Sequence, residues 1–253
     1  MTTPRPLSVF KVVAQLLKIQ VKHVDTDFSR GAGGYTYFWS GRNDGHHLQV
    51  VAITISSRLQ PTVVQITPVD ERIMVMRLKL AFCFMSLIAV YTPTDVCKLD
   101  VKEMFYSKLA LVSDRWPRRD IRIVLGDFNV VSGCDRAGYE MSVSPRGSGA
   151  DTGSENSYFI RDFALSQKLR ISGSCDAGNV AKEIDHILVS TCWRNCRVYR
   201  SAEFCGNDHR LGVTTLRVLF KTPQQFSDHL MVFHLDMLRE VEYTQGLLRR
   251  SLD

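Results

Sequence analysis

The sequence predicts a layered α/β sandwich of the α+β class rather than a doubly wound parallel sheet. Most segments between residues 35 and 91 are short and rich in β-branched or aromatic residues, which is typical of strands. Helical spacing of apolar residues occurs in only a few other stretches, so strands outnumber helices. Hydrophobic residues make up 45% and charged residues 23% of the 253 residues, a balance that lets one domain bury a sizeable core.

The first part of the chain begins with a predicted helix and continues as strands. Residues 8–22 place their valines and leucines on one face, which predicts an amphipathic helix that Ser8 would cap. A polar, glycine-rich loop is predicted over residues 25–34. Strands are then predicted at residues 35–39, 48–55, 63–66, 72–78 and 85–91. The last of these is almost continuously apolar, which is typical of a central buried strand.

The second part of the chain alternates helices and strands. Residues 99–113 return to helical spacing, and Trp116-Pro117 would end that helix because proline cannot continue its hydrogen-bond ladder. The further predicted elements are a short buried strand at 121–125, a Ser/Gly-rich loop at 133–155, a helix at 158–165, and strands at 184–189 and 213–220. We predict one domain over residues 1–221 and a helical linker tail over residues 222–253.

The charge balance is mildly basic, with a formal net charge of +6 and a pI of about 9.0. Such a balance fits a polyanionic partner, because Lys and Arg that neutralise phosphates release counterions. Many proteins carry this charge without binding nucleic acid, so charge alone does not separate the two cases.

The seven cysteines are scattered, and Cys192 and Cys196 have no second Cys/His pair nearby that would complete a zinc site. We therefore expect reduced thiols. No apolar run approaches the roughly 20 residues of a membrane span, and the N-terminus has no signal-peptide pattern. The sequence favours a nuclear or cytoplasmic protein with no membrane partner, and it does not determine an oligomeric state.

The strongest local signal is the segment Gly126-Asp127-Phe128-Asn129, which follows a predicted buried strand. Glycine permits a sharp exit from the strand, a carboxylate there can orient or deprotonate a water, and an amide can donate to a phosphate oxygen. The alternative is a strand-to-turn junction in which Asp127 and Asn129 only satisfy backbone amides. This segment alone leaves both interpretations open.

Two later segments favour the catalytic interpretation. Asp185 lies in an otherwise apolar predicted strand, where a charge needs a partner. His209 follows Asp208 and precedes another apolar segment. An aspartate that bonds one imidazole nitrogen fixes the tautomer and raises the basicity of the other nitrogen. Such a histidine can bind or protonate a phosphoryl oxygen.

The order of these motifs resembles the endonuclease/exonuclease/phosphatase superfamily. The motifs are Val90-Tyr91-Thr92-Pro93, Gly126-Asp127-Phe128-Asn129, Ile184-Asp185-His186-Ile187 and Asp208-His209. Four further segments are similar to LINE-type (RTE-like) retrotransposon endonucleases and to the related craniofacial development protein 2-like genes. They begin at Gly34 (GYTYFWSG), Ile55 (ISSRLQP), Pro68 (PVDERIM) and Ala181 (AKEIDHILVS). The resemblance extends from about residue 8 to residue 221.

The resemblance implies a four-layer α/β sandwich, in which helices flank two packed mixed β-sheets, and a DNA endonuclease activity. Asp127 would position and activate the attacking water, Asn129 would bind the scissile phosphate, and Tyr91 would line the phosphate site. His209 would stabilise the charged phosphorane, held by Asp185 behind it. The implied partner is DNA, or another nucleic acid.

The resemblance also implies one or two Mg²⁺ ions, or Mn²⁺, near Asp208 and Asp127. The family's metal-binding glutamate has no counterpart, because residues 25–34 occupy the place of its strand and contain no glutamate. Asp25 or Asp27 would have to replace it, although no predicted strand presents them. Family strands are also expected to be missing before residue 8 and after Ser174. We therefore predict an incomplete sandwich with impaired catalysis.

Ser227-Asp228-His229 is a second match to the terminal motif of the family. It lies after Pro223, and the sequence beyond it has helical spacing. His209 is nearer to Asp185 and has the expected strand after it, so we favour His209 as the catalytic histidine.

Three other features each leave two interpretations open. His46-His47 at a hairpin turn could touch metal or DNA, but a solvated tip is favoured. Arg115, Arg118 and Arg119 could contact phosphates, although such a run is more often the solvated end of a helix. The alternating aromatic residues of segment 35–39 are expected to be core on one face, with stacking on a base as the alternative.

Three functional hypotheses follow. The first is a Mg²⁺-dependent endonuclease that nicks one DNA strand and leaves a 3′-hydroxyl for target-primed reverse transcription. The second is an inactive descendant that binds nucleic acid or protein, and the third is a truncated fragment that does not fold stably. No Tyr-x-Asp-Asp signature is present, so we expect no DNA synthesis by this chain.

Overall fold

The computed structural model describes part of the chain completely and part as backbone only. Residues 35–40, 51–80, 83–130, 137–143, 156–171 and 185–190 are described with their side chains. Glu155 and the strands at 8–14, 28–31, 196–203, 210–217 and 231–232 are described by backbone alone.

A six-stranded mixed sheet, in the order β5-β6-β7-β8-β10-β9, forms the centre of the fold. Its strands are β5 (Val63–Pro68), β6 (Ile73–Lys79), β7 (Phe84–Tyr91), β8 (Ile121–Asp127), β9 (Leu169–Ile171) and β10 (Asp185–Ser190). β7 and β8 are parallel and are joined through helix α1 (Leu99–Asp114), whereas the other neighbouring pairs are antiparallel. The parallel pair makes β7 and β8 end at the same edge of the sheet.

Two smaller sheets accompany the central one. The first has three strands in the order β2-β3-β4, namely β2 (Phe28–Gly31), β3 (Tyr35–Ser40) and β4 (Val51–Ser56). The second has four strands in the order β11-β12-β1-β13, namely β1 (Ser8–Ala14), β11 (Cys196–Glu203), β12 (Arg210–Arg217) and β13 (Met231–Val232). β4 lies against β6 and β7, while β12 and β1 lie against β10. A short 3-10 helix, Gln60–Thr62, precedes β5.

Each face of the central sheet has its own apolar core. On one face α1 and α2 (Glu155–Ser166) pack against β6, β7 and β8, with Leu109 and Ile160 fully buried between them. On the other face alternate residues of β4, such as Ile53, pack against Met74 and Met76 of β6. Because both faces are covered, the central strands carry apolar residues on both faces, as residues 85–91 suggested.

The α+β sandwich class is confirmed. Helices α1 and α2 pack on one face of the central sheet, and the β2-β3-β4 sheet packs on the other. The outer helical layer of the predicted four-layer arrangement falls outside the described residues. Within those residues, neither helix combines the length and the apolar character that a membrane crossing needs.

Three predictions about local structure are wrong. Residues 8–14 are strand β1, paired with β12 and β13, instead of the start of a helix. Residues 28–31 form strand β2 beside β3 instead of a loop. In the predicted helical tail, Met231–Val232 is a short strand parallel to β1. In each case pairing with a neighbouring strand of the sheet outweighs the signals of the local sequence.

Candidate active site at the edge of the central sheet

Three of the sequence-predicted site residues lie in one row across the central sheet. Asp127 of β8 is the register partner of Tyr91 on β7 and of Asp185 on β10. Side chains in one such row project from the same face of a sheet, and directly opposed residues of antiparallel strands have Cα atoms only about 4.5–5.5 Å apart. The row lies where β7 and β8 end, on the face against which β4 packs.

Gly126 sets the course of the chain into this row. Its φ is +144°, and an ideal Cβ at this position would lie 1.9 Å from the carbonyl oxygen of Val90. A side chain there would collide with the backbone of β7, so only glycine lets the two strands pair at this point. The glycine before the aspartate is therefore required by close strand packing.

Asn129 forms a tight turn directly after β8, in the left-handed region at φ +48°. Its backbone N–H donates to Asp127 Oδ1 at 2.8 Å, and its side-chain Nδ2 donates to the carbonyl of Thr92 at 2.8 Å. Thr92 N–H in turn donates to the carbonyl of Asp127 at 2.9 Å. These bonds hold the ends of β7 and β8 together. They are the contacts expected of a strand-to-turn junction in which Asp127 and Asn129 satisfy backbone groups. An amide nitrogen carries two hydrogens, so one hydrogen of Asn129 Nδ2 remains for a phosphate oxygen.

A positive charge lies beside Tyr91. The guanidinium of Arg72 lies 5.3 Å from the centre of the Tyr91 ring, and Arg72 Nη1 donates to the Tyr91 carbonyl at 3.2 Å. Asp70 fixes the start of β6 by accepting from the backbone N–H groups of Arg72 and Ile73. Arg72 thus adds cationic character at the edge where a phosphate would bind.

The loop after β7 is also supported from α1. Lys102 is almost fully buried, donates through Nζ to the carbonyl of Asp95 at 2.9 Å, and lies 3.8 Å from Asp95 Oδ1. The neighbouring Tyr106 is buried as well, and burial, together with the charge of Asp95, raises the pKa of its phenol. On the side of α1, Asp95 of this loop therefore contacts the buried Lys102 and lies near the phenol of Tyr106.

His186 was not predicted from the sequence to have a role, yet it holds the turn after β8 from the opposite face of β10. It is 1% exposed, and its Nε2 lies 2.7 Å from the carbonyl oxygen of Val130. A carbonyl oxygen only accepts, so Nε2 carries the proton. The ring meets Phe128 edge to face at 5.9 Å. The signal for such a role was a histidine within an apolar strand, but nothing nearby in the sequence identifies the hydrogen-bond partner of that histidine.

Asn156, in the first turn of α2, was also not predicted. Its side chain is 1% exposed, and Nδ2 lies 3.3 Å from the Pro93 carbonyl oxygen and 3.5 Å from that of Asn129. Asparagine near a helix start usually indicates a cap, so this position carries no functional signal of its own.

Two predicted site residues, Asp208 and His209, lie outside the described residues, and the same holds for His229, His46-His47, Asp25 and Asp27. The strand predicted to follow His209 is present as β12, which begins at Arg210 and contacts β10, the strand of Asp185. The roles of Asp208 and His209 stay predictions.

The remaining candidates lie away from the row. Arg115, Arg118 and Arg119 are exposed at the end of α1, just before β8 begins. β8 has seven residues and a rise of about 3.3 Å per residue, so these arginines lie about 20 Å from Asp127. In β3, Tyr35 is buried, which agrees with the core interpretation of that segment.

The donor chemistry of the row fits a hard cation. Mg²⁺ prefers oxygen ligands and is usually held by one or two carboxylates together with water and substrate phosphates. Asp127 and Asp185 supply carboxylates on neighbouring strands. Among the described residues, however, no three His, Cys, Asp or Glu side chains are grouped as metal ligands. The row therefore supplies oxygen ligands of the kind that such an ion accepts.

Sequence comparisons identify no relative, since no family model and no curated protein matches the chain. Solved structures do match. The endonuclease domain of TRAS1, a telomere-specific non-LTR retrotransposon, aligns with TM-score 0.53 and 14% identity over 73% of this chain and 81% of that one.

Two AP endonucleases align similarly. The enzyme from Archaeoglobus fulgidus gives TM-score 0.51 and 15% identity over 83% of this chain and 89% of its own. LMAP from Leishmania major gives TM-score 0.52 and 12% identity over 74% of this chain and 72% of its own. The chain therefore shares the fold of these endonucleases. At these identities the likeness shows the fold alone, and activity has to be argued from the site.

Proposed function

We propose that this chain is a retrotransposon-derived DNA endonuclease domain of the RTE-like type, related to the craniofacial development protein 2-like genes, which hydrolyses phosphodiester bonds. The observation that carries the proposal is the row of Tyr91, Asp127 and Asp185, with Asn129 tied to Asp127 in the next turn. A nuclear or cytoplasmic location belongs to the same proposal.

The residues of the site divide the work of hydrolysis. Asp127 orients the attacking water and accepts its proton, and the second hydrogen of Asn129 Nδ2 binds a non-bridging oxygen of the scissile phosphate. As the water oxygen bonds to phosphorus the P–O3′ bond breaks, and O3′ takes a proton from solvent and leaves as the 3′-hydroxyl. Tyr91, with the cationic Arg72 beside it, lines the same phosphate. His209, following the sequence motif, neutralises the charge that develops in the transition state, with Asp185 fixing its tautomer.

Mg²⁺ dependence is part of the proposal. Asp127 and Asp208 would hold the ion, which supplies charge neutralisation when it is bound, and Mn²⁺ would substitute. The family's metal-binding glutamate has no equivalent in β2, whose sequence Phe28-Ser-Arg-Gly31 carries no carboxylate. We therefore expect a low turnover rather than an efficient nuclease.

The same observation favours a second candidate, a descendant that binds DNA without cutting it. Without a counterpart of the family's metal-binding glutamate in β2, charge neutralisation at the phosphate would be too weak for hydrolysis. The basic net charge of +6 would still support binding.

Nicking of supercoiled plasmid by the purified full chain tests the proposal. With Mg²⁺ we expect nicking that EDTA stops. Asp127→Asn keeps the shape but removes the base, so the rate should fall at least about 100-fold. His209→Ala should fall comparably, whereas His229→Ala should cut at the wild-type rate.

The controls separate the candidates. Asp162 is exposed on α2, away from the row, so Asp162→Asn should leave nicking unchanged. A folded wild-type chain that binds duplex DNA but never nicks it would reject the nuclease and leave the binding descendant. Nicking that survives both EDTA and Asp127→Asn would come from a contaminant and would also reject the proposal.

A further inference from the structure

Asn156 is a buried amide that connects three elements at the site edge. It lies in the first turn of α2, and its Nδ2 is within 3.3 Å of the Pro93 carbonyl oxygen after β7 and 3.5 Å of the Asn129 carbonyl oxygen after β8. Asn129 itself bonds the carbonyl of Thr92. The helix start and both strand-end loops are therefore linked through two side-chain amides.

Neither capping nor core packing accounts for this residue. A capping asparagine accepts a backbone N–H through its side-chain oxygen, but Asn156 Oδ1 has no hydrogen-bond partner within the described part of the chain. A buried amide oxygen without a partner is unfavourable, so a purely packed position would be better filled by an apolar side chain. Within the described part of the chain, the contacts that favour asparagine are the two that Nδ2 donates.

We propose that Asn156 is a positioning residue that locks the Thr92–Pro93 loop and Asn129 into one rigid unit at the phosphate site. Its effect on catalysis rests on the proposed nuclease function, whereas its effect on the two loops does not. Asn156 acts through Asn129, because it bonds the backbone of the residue whose side chain would meet the phosphate. The structure thus adds α2 to the elements that build the site.

Two substitutions separate positioning from packing. Asn156→Leu removes both hydrogen bonds that Nδ2 donates, together with the side-chain oxygen, at a similar side-chain volume. The stability of the fold as a whole should therefore fall little. Asn156→Asp keeps the shape but turns acceptor oxygens toward the carbonyls of Pro93 and Asn129. Leu165→Ala, at an exposed position on the same helix, serves as the matched control.

Hydrogen exchange of the full chain, followed by mass spectrometry of its peptides, gives the primary readout. In both Asn156 variants the peptides that contain Thr92 and Asn129 should exchange about tenfold faster, while peptides from β6 stay within about twofold of wild type. Leu165→Ala should change neither. Unchanged exchange at both loops, or a uniform rise that includes β6, would overturn the proposal.

The kinetic constants kcat and KM give a second readout, which a purely structural role of Asn156 would not change. In a wild-type chain that nicks plasmid, Asn156→Leu should lower kcat with little change in KM. A double variant with Asn129→Ala should then be no slower than Asn129→Ala alone. Losses that multiply would show that Asn156 does not act through Asn129. If the wild type does not nick, the nuclease proposal fails, and the exchange result still decides the role of Asn156.

Discussion

At the scale of single residues, contacts to backbone carbonyl groups hold the candidate site together. Gly126, Asp127 and Asn129 could be selected because their types and order are unusual at the end of an apolar strand. His186 and Asn156 could not, because their partners are backbone carbonyls of Val130, Pro93 and Asn129. Carbonyl groups leave no trace in side-chain composition, so contacts of this kind become visible only in three dimensions.

Gly126 provides the sharpest prediction at this scale. Gly126→Ala adds a Cβ that would lie 1.9 Å from the carbonyl oxygen of Val90 and must also adopt a φ of +144°. We expect the free energy of unfolding to fall by at least about 3 kcal/mol, since collision with backbone adds to the cost of the strained conformation. The urea midpoint of the purified variant measures this loss.

Gly138→Ala is the matched control for this substitution. Gly138 also has a positive φ, of +79°, but nothing lies within 4 Å of its ideal Cβ. Its cost should therefore be only the conformational one, about 1 kcal/mol. Equal losses for both variants would mean that the approach of β7 to Gly126 does not constrain the fold.

At the scale of elements, the sequence predicted the longer strands of the central sheet together with β3, β4 and β12, but not β1, β2, β9, β11 and β13. In segment 85–91 and in helix 99–113, the residue composition and the spacing of apolar residues favour the same structure. Residues 8–14 have conflicting signals: the spacing of apolar residues suits a helix, while three valines favour a strand. Pairing with β12, nearly the whole chain away, decides the outcome, and no local pattern contains that information.

The register of β1 can be tested directly by a disulfide. Val12 is the partner of Thr214 in the antiparallel pair of β1 and β12. Opposed residues of this kind have Cα atoms about 4.5–5.5 Å apart, within the range that a disulfide spans. The double variant Val12→Cys, Thr214→Cys should therefore crosslink under mild oxidation, with the joined peptides identified by mass spectrometry.

An offset pair gives the control for this crosslink. Residues 213 and 214 project from opposite faces of the sheet, so Val12→Cys with Val213→Cys should crosslink much more slowly. A helix over residues 8–22 would make neither pair react preferentially. Equal crosslinking of the two pairs would therefore contradict the strand register.

At the scale of the whole molecule, layering explains where a nucleic acid would bind. The helices cover one face of the central sheet and the β2-β3-β4 sheet packs on the other, while β1 and β12 contact β10. Only the edges of the sheet are therefore available, and the edge at which β7 and β8 end carries Tyr91, Asp127 and Asp185. The exposed arginines 115, 118 and 119 lie at the opposite edge, about 20 Å away by the length of β8.

This separation predicts how binding to duplex DNA should respond to salt and to charge removal. Phosphate contacts release counterions, so we expect the Kd of the wild-type chain to rise at least about tenfold between 50 and 200 mM salt. Replacing Arg115, Arg118 and Arg119 by Gln should keep Kd within about twofold and the salt slope unchanged, since these residues would not meet the duplex. Fluorescence anisotropy with a labelled duplex gives both quantities. A tenfold loss of affinity in the triple variant would show that DNA binds at the edge far from Asp127. The basic surface would then be separate from the carboxylate row, and the proposed location of the site would be contradicted.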